Sequence, residues 1–253
     1  MGIKRFVLAL GLIAGNAKAD PLPDGFVYLR DVAPEIAQDI RYAGPYNFTD
    51  RPVPGYDAAE CVLTRQAAEA LVEVQARLAT QGYALIVWDC YRPDRAVKHF
   101  ATWARNKRAG LLKPVFYPDI AKADLHRLGY IARRSAHSRG STVDLGLVRT
   151  GETPVTPAMD DLRACDAPYA SRPRESSVDM GTNFDCFSDQ SGLGARLPLE
   201  VWDNREILSA AMSEAGFRGY SKEWWHFRLR DETFPGRQFD FVIGPRAAPE
   251  QEE

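Results

Sequence analysis

The sequence predicts an α+β fold in which helices pack against a mainly antiparallel sheet. Three segments carry apolar residues at helical spacing, and others read as short apolar strands. The two kinds alternate without the regular βα repeat of a doubly wound sheet. No Gly/Ser linker, repeat or low-complexity tract interrupts the chain, so residues 20–243 read as one domain.

Residues 1–19 read as a targeting leader. Lys4 and Arg5 precede an apolar run from Phe6 to Ala14, and Ala17-Lys18-Ala19 fits small-x-small cleavage before Asp20. The run is too short to span a bilayer. The mature protein is expected to be exported, periplasmic or secreted, with no membrane attachment after cleavage.

Thr64 is expected to cap a helix with Ala67, Leu71, Val74 and Leu78 on one face and Gly82 at its end. Residues 83–88 follow as a strand. A second helix should begin near Pro93, with Val97, Phe100, Ala101 and Ala104 on its buried face. A turn at Arg139-Gly140-Ser141 should lead into a strand through Val143, Asp144 and Leu145. Residues 150–199 are rich in Gly, Pro, Asp and Ser and show little periodicity, which predicts a loop over a cleft. A third helix, capped by Asp203 or Asn204, should bury Leu208, Ala211, Met212 and Ala215 before Gly216. Strands are expected at 225–229 and 239–243, and a disordered tail at 244–253.

The 32 basic and 34 acidic residues are interspersed and give a formal charge of −2. No basic stripe offers itself to nucleic acid and no patch to a membrane surface, so the expected partner is a small molecule. Four cysteines in an exported chain imply two disulfides, for which the sequence allows three connectivities. Cys61 with Cys90 and Cys165 with Cys186 is the favoured pairing. It would tie a helix start to the strand before Arg92 and staple the segment before Asp185. None of the four lies in a Cys-x-x-Cys pair, which argues against zinc ribbons and thioredoxin chemistry.

Two stretches carry the chemistry: Ser135-Ala-His137-Ser-Arg-Gly140-Ser-Thr-Val-Asp144, and Glu223-Trp224-Trp225-His226. A catalytic zinc site keeps three protein ligands and one open position, and His, His and Asp are ordinary zinc donors. His137, Asp144 and His226 are the candidate ligands, for one zinc ion per chain. Glu223 is left as the base, or as the partner that orients His226. Under strict alternation Glu223 and His226, three apart, would point to opposite faces, so Glu223 is expected in the turn entering the strand. His99 and His126 lack partner spacing and read as structural or solvated.

The pattern S-x-H-S-R-G-x-x-x-D followed by E-W-W-H closely resembles the zinc D-alanyl-D-alanine dipeptidases, within the wider D-Ala-D-Ala carboxypeptidase family. Asp39-Ile-Arg-Tyr42, Asn47-Phe-Thr, Trp88-Asp-Cys-Tyr-Arg92-Pro93 and Asp179-Met-Gly-Thr-Asn-Phe-Asp185 resemble it too, in the family's order. The resemblance implies a compact sheet with a zinc cleft on one face and hydrolysis of free D-alanyl-D-alanine. It also implies that Arg92 meets the oxyanion, Tyr42 and Asp185 hold the dipeptide's ammonium, and Ser135 meets its carboxylate. By residue type alone, Arg92 also fits a surface ion pair, Tyr42 the core and Ser135 a turn. A peptidase acting on intact peptidoglycan stems and a non-catalytic zinc-binding module are the alternative functions. A purely structural zinc needs neither a base nor an oxyanion partner, so Glu223 and Arg92 favour catalysis.

Overall fold

The computed structural model describes residues 21–246, so the expected leader at 1–19 lies outside the described residues, as does 247–253. A five-stranded sheet is built from β2 (Ala37–Gln38), β4 (Tyr83–Asp89), β5 (Thr142–Arg149), β6 (Phe217–Tyr220) and β7 (Glu223–Leu229). Its spatial order is β2-β4-β5-β7-β6. Only the short β2–β4 pairing is parallel; the other three are antiparallel. A second, two-stranded sheet pairs β1 (Phe26–Tyr28) with β3 (Val62–Thr64). The longer helices are α2 (Arg65–Ala79), α3 (Asp94–Arg105) and α6 (Leu199–Glu214). Short helices α1 (Leu29–Val32), α4 (Lys113–Phe116) and α5 (Leu125–Leu128) complete the α+β arrangement that the sequence predicts.

The apolar run of β4 is explained by burial, because the strand lies inside the sheet with helix α2 against it. Helix α2 buries Ala67, Leu71, Val74 and Leu78, the predicted face, and Gly82 follows it in the left-handed region at φ 79°. Gln75, also buried on that helix, accepts the Leu85 amide at 2.8 Å and ties α2 to β4. Thr64 stands at the helix N-cap as expected, but its hydroxyl bonds Ser141 Oγ at 2.9 Å rather than capping the helix. Helix α3 buries Val97, Phe100 and Ala104 together with Trp103.

Two expectations are corrected. Helix α6 begins at Leu199, four residues or more before the predicted caps. Asn204 and Arg205 are buried within it because they satisfy carbonyls of the neighbouring loop, so polar residues occupy what periodicity reserves for apolar ones. Residues 239–243 form no strand beyond a single bridge between Ile243 and Tyr56. Their backbone is satisfied bond by bond from separate segments: the Phe239 amide donates to Ser138 and the Ile243 amide to Gly55, while the Phe239 carbonyl accepts from Asp94. No single neighbour runs alongside for a ladder to form. Gly244 accepts a hydrogen bond from the Tyr28 hydroxyl, and Arg246 pairs with Asp31, so the first residues of the expected tail lie against the body.

Residues 150–198 carry only two short 3-10 turns, Tyr169–Ser171 and Asp189–Ser191. Arg205 holds the later part of this loop by donating to the carbonyls of Met180, Gln190 and Gly192 at 2.8–2.9 Å. Cys165 and Cys186 meet at bonding distance within it, with Cα atoms 5.6 Å apart, and Cys61 meets Cys90 at 5.3 Å. These are the favoured pairings.

Candidate active site

Sheet register aligns two of the three candidate ligands, Asp144 and His226. Asp89 of β4 is the cross-strand partner of Asp144 on β5, and Asp144 is the partner of His226 on β7, so the three stand in one row. The row exists because the β4–β5 register shifts between Val87 and Asp89. Such a bulge re-aims the following side chain. His137 comes from a 3-10 turn, His137–Arg139, which Gly140 ends at φ 79°. A side chain at Gly140 would run into the ring of Phe26, so glycine is required there twice over.

The three donor atoms face one point. His137 Nε2 lies 3.2 Å from His226 Nδ1 and 3.3 Å from Asp144 Oδ1, and His226 Nδ1 lies 3.0 Å from the same oxygen. Donors bound tetrahedrally at about 2.0–2.1 Å stand about 3.3 Å from one another, so this triangle matches one face of a zinc tetrahedron. Two imidazole nitrogens this close require a shared cation or a proton on one of them. The Cys90 carbonyl accepts a hydrogen bond from His137 Nδ1 at 2.7 Å, which leaves Nε2 free to ligate. The residues therefore fit a metal ion.

Glu223 opens β7 rather than preceding it, and its carboxylate still reaches the site, with Oε2 3.7 Å from His226 Nδ1. The β6–β7 register shifts between Gly219 and Tyr220, and Trp224 and Trp225 are both buried. Alternation fails at that point, and two residues three apart share a side.

Arg92 projects over the rings of Tyr42 and Phe100, 5.1 and 5.2 Å from their centroids. Its Nε and Nη2 donate to Asp89 Oδ2 at 2.9 and 2.7 Å. Asp89 is wholly buried, also accepts from the Tyr56 hydroxyl at 2.6 Å, and lies 3.4 Å from His137 Nδ1. It holds Arg92 and a candidate ligand histidine together, a role that residue patterns alone do not assign. The available signal was an acid ending an otherwise apolar strand.

Asp185 and Tyr42 line the same cavity, of about 360 Å³, which also reaches Ser135. The Tyr42 hydroxyl donates to Asp185 Oδ2 at 2.7 Å. Asp185 adopts the left-handed conformation at φ 59°, a strained choice for a residue other than glycine. Asn47 shapes the turn after Tyr42, donating to the carbonyls of Gly44 and Arg51 at 2.8 and 2.9 Å. Ser135 Oγ accepts the His137 amide at 3.2 Å, so the turn reading of this serine holds, and its own O–H remains available. All eight candidate residues thus line one cavity. His126 is not among the residues lining it, and its Nδ1 bonds the Ile131 carbonyl at 2.7 Å.

Burial dominates the electrostatics. It pushes the Glu223 carboxyl up to about 7 against the pull of His226, and lifts Asp185 well above the carboxylate range. Burial also lifts Tyr42, keeping it a donor. Asp144 goes the other way: burial opposes its charge, but His137 and His226 hold it well below its ordinary value.

Glu223 supplies a pH test on metal-free protein. Folded, it keeps its proton to about pH 7; an ordinary glutamate loses it near 4.5. The folded state therefore binds more protons across that window, and stability falls as pH rises through it. Calorimetry of chelated protein should show Tm declining from pH 4.5 to 7, with a shallower decline in Glu223→Gln. Equal slopes would refute the assignment.

Comparison with known proteins agrees with this geometry. A family model described as D-ala-D-ala dipeptidase matches residues 23–169 and 164–243. The chain is 37% identical to the D-alanyl-D-alanine dipeptidase of Enterococcus faecium over 222 residues, covering 87% of this chain and 98% of that protein. It is 37% identical to that of Streptomyces coelicolor over 221 residues, covering 86% and 98%. The dipeptidase of Escherichia coli is more distant, 27% identical over 223 residues and covering 87% and 93%. With a family match that runs through the whole ligand row and relatives aligned along nearly their full length, the chain belongs to the D-alanyl-D-alanine dipeptidase family.

Proposed function

We propose that this protein hydrolyses free D-alanyl-D-alanine to two molecules of D-alanine, using one zinc ion held by His137, Asp144 and His226. The observation that carries this reading is the single cavity lined by three residues whose donor atoms lie 3.0–3.3 Å apart together with Glu223, Arg92, Asp185 and Tyr42. When bound, zinc supplies Lewis acidity, which lowers the pKa of a water molecule towards about 7 and polarises a carbonyl oxygen.

The protein's own groups do the rest. Glu223 takes the proton from the attacking water and returns it to the departing amine, and burial sets its pKa near the value that suits both tasks. Arg92, locked by Asp89, stabilises the negative charge that develops on the carbonyl oxygen. Asp185 and Tyr42 receive the substrate ammonium, and the free O–H of Ser135 meets the terminal carboxylate. An ammonium beside Asp185 supplies the opposite charge that this buried carboxyl lacks.

Asp185→Ala tests the substrate reading. It should lower kcat/KM for free D-alanyl-D-alanine by about 100-fold, as expected when a buried charge loses its partner. The loss on an N-acetylated analogue should be less than threefold, because that substrate brings no ammonium. Equal losses on both would remove the ammonium role and favour action on peptidoglycan stems.

Export through the leader at residues 1–19 belongs to the same proposal. The two cysteine pairs at bonding distance support it, because disulfides persist in oxidising compartments. Among the described residues no helix is long and apolar enough to cross a membrane. A periplasmic or secreted dipeptidase would recover D-alanine from released wall fragments.

A further inference from the structure

Three arginines of the cavity wall take no part in the chemistry above: Arg134, Arg218 and Arg228. Arg218 on β6 and Arg228 on β7 are direct cross-strand partners. Like charges placed directly opposite one another repel across a sheet; here Arg218 is exposed and Arg228 half-buried. Arg228 has one acidic partner, Glu232 at 3.2 Å, and shares it with Arg139, whose Nη2 lies 2.7 Å from that carboxylate. Among the described residues Arg134 and Arg218 make no ion pair.

Position along β7 gives these charges a direction. Glu223 opens the strand; His226 follows, and Arg228 lies two residues further on the same face. The Asp185 and Glu223 carboxyl groups and the Arg218 and Arg228 guanidinium groups thus line one cavity. One terminal carboxylate, met by Ser135 with Arg134 beside it in the chain, leaves Arg218 without an anion and Arg228 with only the Glu232 carboxylate that it shares with Arg139.

We propose that Arg218 and Arg228 form a subsite for an acidic side chain on the C-terminal residue of the substrate, extending the range to dipeptides ending in D-aspartate or D-glutamate. The proposal rests on the dipeptidase reading for the substrate's orientation. The departing product would be the acidic D-amino acid, released by the same hydrolysis.

Titration calorimetry on zinc-loaded Glu223→Gln protein at low ionic strength tests the subsite without turnover. The ligands are D-Ala-D-Asp against D-Ala-D-Asn, and D-Ala-D-Glu against D-Ala-D-Gln. At least one acidic dipeptide should bind about five-fold tighter than its amide, and the ratio should shrink at high salt. It should fall to about one when Arg218→Gln and Arg228→Gln are added, and survive Arg218→Lys with Arg228→Lys. A ratio near one before any arginine is changed, or one that persists without both arginines, would overturn the proposal. Turnover of D-alanyl-D-alanine by the unsubstituted enzyme, measured in parallel, reports separately on the dipeptidase reading. Turnover without an acidic preference removes only the subsite; the preference without turnover removes only that reading.

Discussion

Glu223→Gln should lower kcat on D-alanyl-D-alanine by about 10³-fold while the protein still binds one equivalent of zinc. The amide keeps the shape of the carboxylate but can neither accept the proton of the attacking water nor return one to the leaving amine, and positioned acid–base groups contribute about 10²–10⁴-fold. Glu223 is placed to do both, 3.7 Å from the candidate ligand His226 and lifted to about 7 by burial. It is not one of the three mutually close donors, so metal content should not change. Unchanged turnover would dismiss the base. Lost zinc would recast Glu223 as a group that orients His226, and metal analysis beside the kinetic assay separates the two outcomes.

Asp89→Ala should be the most destabilising single change in the site, by about 3–5 kcal/mol, the range for removing one partner of a buried ion pair. The substitution leaves the Arg92 guanidinium without its two hydrogen bonds to Asp89 and the Tyr56 hydroxyl without an acceptor. Urea denaturation measures the loss, and a value under 1 kcal/mol would mean that water or neighbouring acids replace Asp89. Asp89→Asn, which keeps an acceptor for Tyr56 but loses the charge, should fold and show a reduced kcat as Arg92 loosens. Full activity in that variant would show that Arg92 needs no anchor.

The contrast between Glu223 and Asp89 shows what sequence alone reveals here. The candidate ligand set was legible because His137, Asp144 and His226 sit in short stretches whose residue types match zinc chemistry; the register pairs Asp144 with His226, and the turn carrying His137 completes the group. Helices α2 and α3 were legible because each has one apolar face against the core. Asp89 was not, because its partners Tyr56, Arg92 and His137 converge only after three separate segments fold. The side on which Glu223 falls depends on a register shift in β6–β7, and strict alternation has no means of predicting one. Helix α6 hid its start because Asn204 and Arg205 bury polar groups against loop carbonyls. Residues 239–243 look like a strand because Phe239 and Phe241 pack against the Phe26 ring, which requires no ladder.

The most direct measurement is D-alanine release by the zinc-loaded protein from free D-alanyl-D-alanine, run beside L-alanyl-L-alanine and N-acetyl-D-alanyl-D-alanine. Release from the free D,D-dipeptide alone is the predicted result, because Asp185, proposed to receive the ammonium, lines the same cavity as Glu223 and Arg92, the proposed base and oxyanion partner. Silence on all three substrates, with zinc verified in the site, would contradict the account and leave a metal-binding cleft without the proposed hydrolysis.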